Sequence, residues 1–138
     1  MPFLRFDIIE GRNEQEIAAL LDATHRVVLR TFQVPKRDRY QIVHEHKPNR
    51  TRIEDTGLGI ERSDKVVLLQ ITTRPHTTEE KTTFYRELCV ELERSCGIPP
   101  SDVMVTVVEN TDEGWSFGHG RAQFLTGELR ASKPGGAR

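Results

Sequence analysis

The residue that could carry out the most unusual chemistry in this chain is the proline that follows the initiator methionine. A small residue at position 2 permits removal of Met1, and Pro2 then carries a secondary amine with no side chain blocking its nitrogen. A free α-amino group titrates at about pH 8, so modest tuning makes it an acid or a base at neutral pH. We expect Pro2 to be catalytic; a structural proline leading a strand is the alternative interpretation.

Arg74 is the second candidate, because it ends a predicted strand just before Pro75. From that position a guanidinium can hold a substrate carboxylate through two parallel hydrogen bonds. A solvated arginine at a strand end is the alternative.

An internal repeat defines the elements that must position these residues. Apolar strand-like runs, helices and closing strands recur at an offset of 64 residues (77 minus 13, for example). The matching pairs are Asn13/Thr77, Glu16/Glu80, Pro35/Pro99 and Asp38/Asp102. Asn13 and Thr77 each stand three residues before a glutamate, which predicts a capping box at the start of each helix. The two aspartates end Val-Pro-x-x-Asp and Ile-Pro-x-x-Asp sequences, where either can cap a turn.

The repeat predicts an α/β (α+β) fold made of a duplicated β-α-β unit. Strands joined through a helix lie parallel with right-handed crossovers, so we expect a four-stranded sheet with both helices on one face. The other face would be apolar and bare, which predicts an oligomer that covers it. We expect a single domain over residues 1–129, with repeat halves at about 2–46 and 65–109, and a flexible tail over 130–138.

Composition narrows the classes of partner. The net charge is −1, with 20 Lys+Arg against 21 Asp+Glu, so we expect neither nucleic acid nor an anionic membrane as a partner. The apolar runs are too short to cross a bilayer, and the charged N-terminus is unlike a signal peptide, so we expect a cytoplasmic protein. His44 and His46 lie on one face of a strand without an obvious third ligand, and no metal site is predicted.

Five motifs in the chain carry a resemblance to known proteins: residues 2–7, 34–41, 54–59, 74–75 and 115–129. The last of these, Trp-Ser-Phe-Gly-x-Gly-x-Ala-Gln-Phe-Leu-Thr-Gly-Glu-Leu, is the most specific, and the motifs together span nearly the whole chain. The Met-Pro start and the duplicated β-α-β plan resemble the 4-oxalocrotonate tautomerase superfamily. Within it, the five motifs together resemble the malonate semialdehyde decarboxylases.

This resemblance implies roles for individual residues. Asp38 matches the catalytic carboxylate, which can hold Pro2 protonated, orient it or position a water. The residues that match the family's hydrophobic pocket are Trp115, Phe117, Phe124 and Leu129; ordinary core packing is the alternative for these. One departure is His76, which stands where the family has a second arginine and is either a substrate-binding residue or a solvent-facing residue before the helix cap. The resemblance also implies a homotrimer and no cofactor.

The resulting hypothesis is cofactor-independent decarboxylation of malonate semialdehyde, a small aldehydo acid, to acetaldehyde and carbon dioxide. Protonated Pro2 can polarise the aldehyde, or neutral Pro2 can form an iminium, and the residues alone do not choose between these routes. A keto–enol tautomerase, or a hydratase or dehalogenase of unsaturated acids, with Pro2 as general base is the first alternative. A non-catalytic oligomeric binding module is the second.

Overall fold

The computed structural model describes residues 2–129; Met1 and the predicted flexible tail at 130–138 lie outside them. The strands are β1 (Phe3–Ile9), β2 (Tyr40–His46), β3 (Val67–Thr73) and β4 (Val103–Glu109). The helices are α1 (Glu14–Phe32), α2 (Thr78–Cys96) and the short α3 (Gln123–Thr126). The chain therefore runs as two β-α-β units followed by a segment that carries α3.

The four strands form one mixed sheet in the order β2-β1-β3-β4. Within each unit the two strands are parallel, as the repeat predicts. The units are joined at the centre, where β1 and β3 are antiparallel and Phe3 lies opposite Thr72. The two halves of the sheet are consequently related by an approximate twofold axis. Residues that are equivalent in the two repeats therefore lie at opposite ends of the sheet.

Both helices begin where the sequence predicts. Asn13 and Thr77 accept hydrogen bonds from the backbone of Glu16 and Glu80, and each glutamate side chain accepts in return from the backbone of the cap residue. Gly97 ends α2 in the left-handed conformation that glycine adopts without steric cost. Two reciprocal hydrogen bonds at each start satisfy donors that a helix cannot satisfy itself.

The helices cover one face of the sheet, as predicted, and the core lies between these layers. Alternate residues of the central strands are buried there, and Phe6, Leu69 and Ile71 have no exposed surface. From the helices, Leu20, Val27, Phe84 and Leu88 fill the same core. The period of two in the strands and the helical spacing in α1 and α2 bring these residues to one layer.

The uncovered face differs from the prediction, because it is only partly apolar. Its side chains include Arg5, Asp7, Ile42, His44, His46, Gln70, Met104, Thr106 and Val108. On the central strand Asp7 pairs with His46, whose Nε2 lies 2.6 Å from the Asp7 Oδ1. Exposed apolar side chains on this face belong to the edge strands, as with Ile42 and Val108. Sequence alternation identifies a face, but polar residues on the central strands interrupt the apolar area.

The segment that connects the two units is held by two carboxyl groups, one from the second unit and one of its own. Asp102, the repeat partner of Asp38, is buried and accepts hydrogen bonds from the backbone N–H and the Oγ of Ser63 at 2.7 and 2.5 Å. Asp55 accepts from the backbone N–H groups of Gly57, Gly59 and Ile60, and these bonds lower the pKa of its carboxyl. Asp102 thus has a structural role, because it holds Ser63 in the loop before β3.

A buried carboxylate links α1 to α2. Glu91 is 2% exposed and accepts hydrogen bonds from Arg26 of α1 and from Arg94 and Ser95 of its own helix. Bonds from Ser95 and Arg26 are the main reason that the pKa of Glu91 falls to about 2. A carboxylate with a lowered pKa stabilises the fold above its unfolded pKa and loses that contribution as the pH falls.

We predict that Glu91→Gln lowers the free energy of unfolding at pH 7 by about 1–3 kcal/mol, because charge-assisted bonds become neutral ones. The difference from wild type should shrink as the pH falls from about 4.5 towards 2, where the wild-type carboxylate is also protonated. Urea unfolding at several pH values measures both effects. The exposed Glu93→Gln on the same helix is the matched control, and an equal loss in both variants would contradict the assignment.

Candidate active site

The candidate site lies at one end of the sheet. This edge is formed by the first residues of β1 and β2 and the last residues of β3 and β4, and is distinct from the outer strands. Phe3 pairs with Tyr40 of β2 and with Thr72 of β3, so the preceding residue, Pro2, lies between the positions of Arg39 and Thr73. Asp38 is two residues before β2, and Arg74 follows β3 directly. The topology therefore brings the three residues predicted to be catalytic, which are far apart in sequence, to the same edge.

Pro2 and Asp38 are both buried at this edge. Pro2 is buried, and Asp38 is 8% exposed. The backbone N–H of Asp38 donates to the carbonyl of Pro35 at 3.0 Å, which closes the Val-Pro-x-x-Asp turn and directs the chain into β2. Burial and the Asp38 charge raise the pKa of the neighbouring Tyr40. The Asp38 carboxyl group therefore lies at the same edge as Pro2.

Arg74 is held by a carboxylate and an aromatic ring. Its Nη1 lies 2.7 Å from the Oδ1 of Asp112, and its Cζ lies 4.2 Å from the ring centre of Phe124. The side chain is 16% exposed. An ion pair and a cation–π contact together fix the plane of the Arg74 guanidinium.

Asp112 is a site residue that the sequence analysis missed. It begins the turn after β4, and β4 is parallel to β3, so both strands end at this edge. The parallel pairing of strands within each repeat was the available signal, because it places the residues after β3 beside those after β4. The sequence could not show which of the acidic residues in 109–113 would reach the arginine.

Three of the four predicted pocket residues form one aromatic wall. The rings of Trp115 and Phe117 are stacked at 5.5 Å between centres, and Phe124 meets Phe117 edge to face at 5.5 Å. Tyr40, at the start of β2, lies 5.8 Å from Phe117 and was not singled out from the sequence. The indole N–H of Trp115 donates to the Asn110 side chain at 2.7 Å, which orients the ring. These are pair geometries typical of packed aromatic side chains.

Leu129, the fourth predicted pocket residue, is the last residue that the structure describes. It is half-buried, and its backbone N–H donates to the carbonyl of Gln123 at 3.1 Å. The side chain of Gln123 also accepts from the backbone N–H of Phe117 at 2.9 Å. Gln123 therefore ties both ends of the segment to α3.

His76 is packed against the helical layer. Its ring stacks on Phe32 at 4.3 Å between centres, and the residue side chain is 15% exposed. The interpretation of His76 as a solvent-facing residue is therefore wrong. Burial lowers the pKa of His76, although Glu80, whose Oε1 is 3.5 Å from Nδ1, opposes this. The lowered pKa favours neutral imidazole at pH 7, unlike the guanidinium that the resemblance places at this position.

An open groove of about 490 Å³ runs beside the aromatic wall. It is lined by Phe3, Arg39, Tyr40, Gln41, Ile42, Trp115, Ser116 and Phe117.

Within residues 2–129, His, Cys, Asp and Glu side chains form no group of three or more that could hold a metal ion. The same part of the chain contains no helix long and apolar enough to span a membrane. The arrangement offers a buried proline, a carboxylate, an anchored guanidinium and an apolar wall.

Comparison with known proteins places this chain in a family. Two family models described as tautomerase enzyme match residues 38–118 and 2–61. The probable tautomerase YrdN of Bacillus subtilis (strain 168) is 53% identical over 129 residues, covering 94% of this chain and all of the relative.

Solved structures agree with the family models. A malonate semialdehyde decarboxylase, described with decarboxylase and hydratase activities, is 52% identical with a TM-score of 0.90, over 93% of this chain and 99% of that one. The FG41 malonate semialdehyde decarboxylase inhibited by 3-bromopropiolate is 35% identical with a TM-score of 0.89, over 94% and 98% of the two chains. A fused 4-OT trimer, 20% identical with a TM-score of 0.74 over 91% and 98%, shares the fold. The chain belongs to the tautomerase superfamily.

Proposed function

We propose that this protein decarboxylates malonate semialdehyde to acetaldehyde and carbon dioxide without a cofactor, using Pro2 as the catalytic amine after removal of Met1. The observation that carries the proposal is the 52% identity to a malonate semialdehyde decarboxylase over 93% of the chain. The meeting of Pro2, Asp38 and Arg74 at one sheet edge supports it, because these residues supply the chemistry that the reaction needs.

Arg74 is the proposed carboxylate-binding residue. Its guanidinium is already fixed by Asp112 and Phe124, so binding a substrate carboxylate costs little further side-chain entropy. Holding the carboxylate at a fixed angle allows the breaking carbon–carbon bond to align with the π system of the aldehyde.

Pro2 is proposed to create the group that accepts the electrons of the breaking bond, either by polarising the aldehyde or by converting it to an iminium. In the acid route, protonated Pro2 gives its proton to the aldehyde oxygen as carbon dioxide leaves. The resulting enol takes a proton on carbon and returns its hydroxyl proton to Pro2, which gives acetaldehyde. In the iminium route, neutral Pro2 attacks the aldehyde and releases water; decarboxylation then gives an enamine, which is protonated on carbon and hydrolysed. Asp38 favours the first route, since a nearby carboxylate stabilises the ammonium form.

The aromatic wall favours loss of the carboxylate. A carboxylate beside Trp115, Phe117 and Phe124 exchanges some of its water for apolar surface, whereas carbon dioxide is neutral. The transition state disperses the negative charge and loses less solvation than the ground state.

Base catalysis by Pro2, in a tautomerase or hydratase, is the second candidate. It is favoured by the name of the Bacillus relative, a probable tautomerase, and by the hydratase activity named for the 52% identical structure. A base must be neutral at the working pH, whereas an acid must be protonated, so the pKa of Pro2 separates the two.

The test incubates mass-checked protein lacking Met1 with malonate semialdehyde and follows the products by proton NMR. We predict acetaldehyde formation, and a loss of at least about hundredfold in kcat/KM in Pro2→Ala, because the secondary amine is replaced by a primary one with different basicity and geometry. Circular dichroism of both proteins controls for folding. No acetaldehyde from wild type, together with conversion of enol acids or hydration of unsaturated acids, would establish the second candidate instead.

We predict that Arg74→Lys raises KM for malonate semialdehyde about tenfold or more. Lysine keeps the charge but lacks the planar fork and the stacking on Phe124. Steady-state kinetics measure this effect. The matched control is Arg30→Lys, which alters an arginine paired with Glu87 on the helical layer. An unchanged KM in Arg74→Lys would remove Arg74 from substrate binding.

We further propose a homotrimer, as in the fused 4-OT structure that shares the fold. The expected mass by light scattering is about three times the 15.8 kDa of the chain. A monomeric mass across micromolar concentrations would contradict this proposal.

A further inference from the structure

Thr73 is a buried threonine whose hydroxyl has no hydrogen-bond partner. It is 1% exposed, and its Oγ1 is one of three buried side-chain polar atoms that lack a partner among residues 2–129. The other two belong to Arg12 and Thr51, which are only partly buried residues. Leaving a buried hydroxyl unpaired is unfavourable, so this unpaired hydroxyl calls for an explanation.

The fold satisfies comparable hydroxyl groups elsewhere. Thr24 and Thr31, both buried on α1, donate to the carbonyls of Leu20 and Val27 at 2.8 Å. Thr73 lies at the end of β3, where no helical carbonyl of its own element is available. A group that can pair with this hydroxyl must therefore come from another part of the site.

The strand register places that hydroxyl beside the start of the chain. Phe3 lies opposite Thr72 in the antiparallel pair, so Pro2 and Thr73 are the next opposed positions. Both residues are buried, and Thr73 follows Val67, Leu69 and Ile71 on the face of β3 that the helices cover. Pro2 continues the same face of β1, because Leu4, Phe6 and Ile8 alternate on it.

We propose that Thr73 is a positioning residue: in the protein lacking Met1, its hydroxyl oxygen accepts a hydrogen bond from the Pro2 amine and orients it. A protonated secondary amine has two N–H groups, and Asp38 and the Thr73 oxygen can each accept one. Such a bond is charge-assisted, so it stabilises the ammonium form and fixes the direction of the remaining contacts. The inference rests on the proposed role of Pro2 as the catalytic amine.

Other charges at this edge also act on the amine. Asp38 precedes β2, Arg74 and His76 follow β3, Glu109 ends β4, and Asp112 lies in the turn after it. Asp38, Glu109 and Asp112 favour the ammonium form. It is opposed by Arg74, by Arg39, which directly precedes β2 and occupies the position next to Pro2, and by Lys81 of α2, which is paired with Glu109. Variants of Thr73 leave all of these charges in place, so they isolate the contribution of the hydroxyl.

The experiment titrates Pro2 by ¹⁵N NMR in mass-checked protein without Met1 and without substrate. We expect Thr73→Val to lower the pKa of Pro2 by about one unit, with Thr73→Ala shifting it in the same direction and Thr73→Ser remaining near wild type. Thr24→Val is the control, since it removes a buried hydroxyl from α1 and should leave the pKa of Pro2 unchanged.

An unchanged Pro2 pKa in both Thr73→Val and Thr73→Ala would overturn the proposal, as would an equal shift in Thr24→Val. A shift confined to the variants without the hydroxyl supports it. Because the titration needs no substrate, a shift in a protein that leaves malonate semialdehyde unchanged would retain the role of Thr73 and reject only the proposed reaction.

Discussion

The site depends on the hydrogen-bonded position of β1 between β2 and β3. Its parallel pairing with β2 places Asp38 beside the chain start, and its antiparallel pairing with β3 places Thr73 and Arg74 there as well. A slip of one residue in either ladder would turn every side chain of β1 to the other face and would expose the core residues Leu4, Phe6 and Ile8. Core packing therefore also fixes the geometry of the proposed catalytic groups.

Duplication produces two similar edges, but in the proposed mechanism only the first carries the catalytic amine, Pro2. The position 64 residues after Pro2 is Val66 (2 plus 64), which lies within the chain. At that second edge Asp102 binds Ser63, whereas its counterpart Asp38 lies buried at the edge where the chain begins. The same turn and the same carboxylate thus serve structure in one half and the proposed reaction in the other. The segment after β4 adds Asp112 and the aromatic wall to the first edge only.

Much of this architecture follows from local signals in the sequence. The capping boxes at Asn13 and Thr77, the turns ending at Asp38 and Asp102, and the parallel pairing within each unit all follow from the repeat. The ion pair of Arg74 with Asp112, the stacking of His76 on Phe32 and the placement of Thr73 beside Pro2 could not be predicted in the same way. Each needs the register between elements that are distant in sequence, and periodicity identifies the face of an element but not its partner. The prediction of an apolar uncovered face did not take into account the polar residues of the central strands. Arg5, Asp7 and Gln70 lie on this face and interrupt its apolar area.

The central claim is that the free amine of Pro2, and not its ring alone, carries the reaction. The most direct measurement compares turnover of malonate semialdehyde by two mass-checked preparations: one that begins at Pro2, and one with a short peptide fused before Pro2. The proline ring and the rest of the chain are identical in both, and circular dichroism reports whether the fold is unchanged. We predict acetaldehyde formation only by the protein that begins at Pro2. Equal turnover by the extended protein would contradict it.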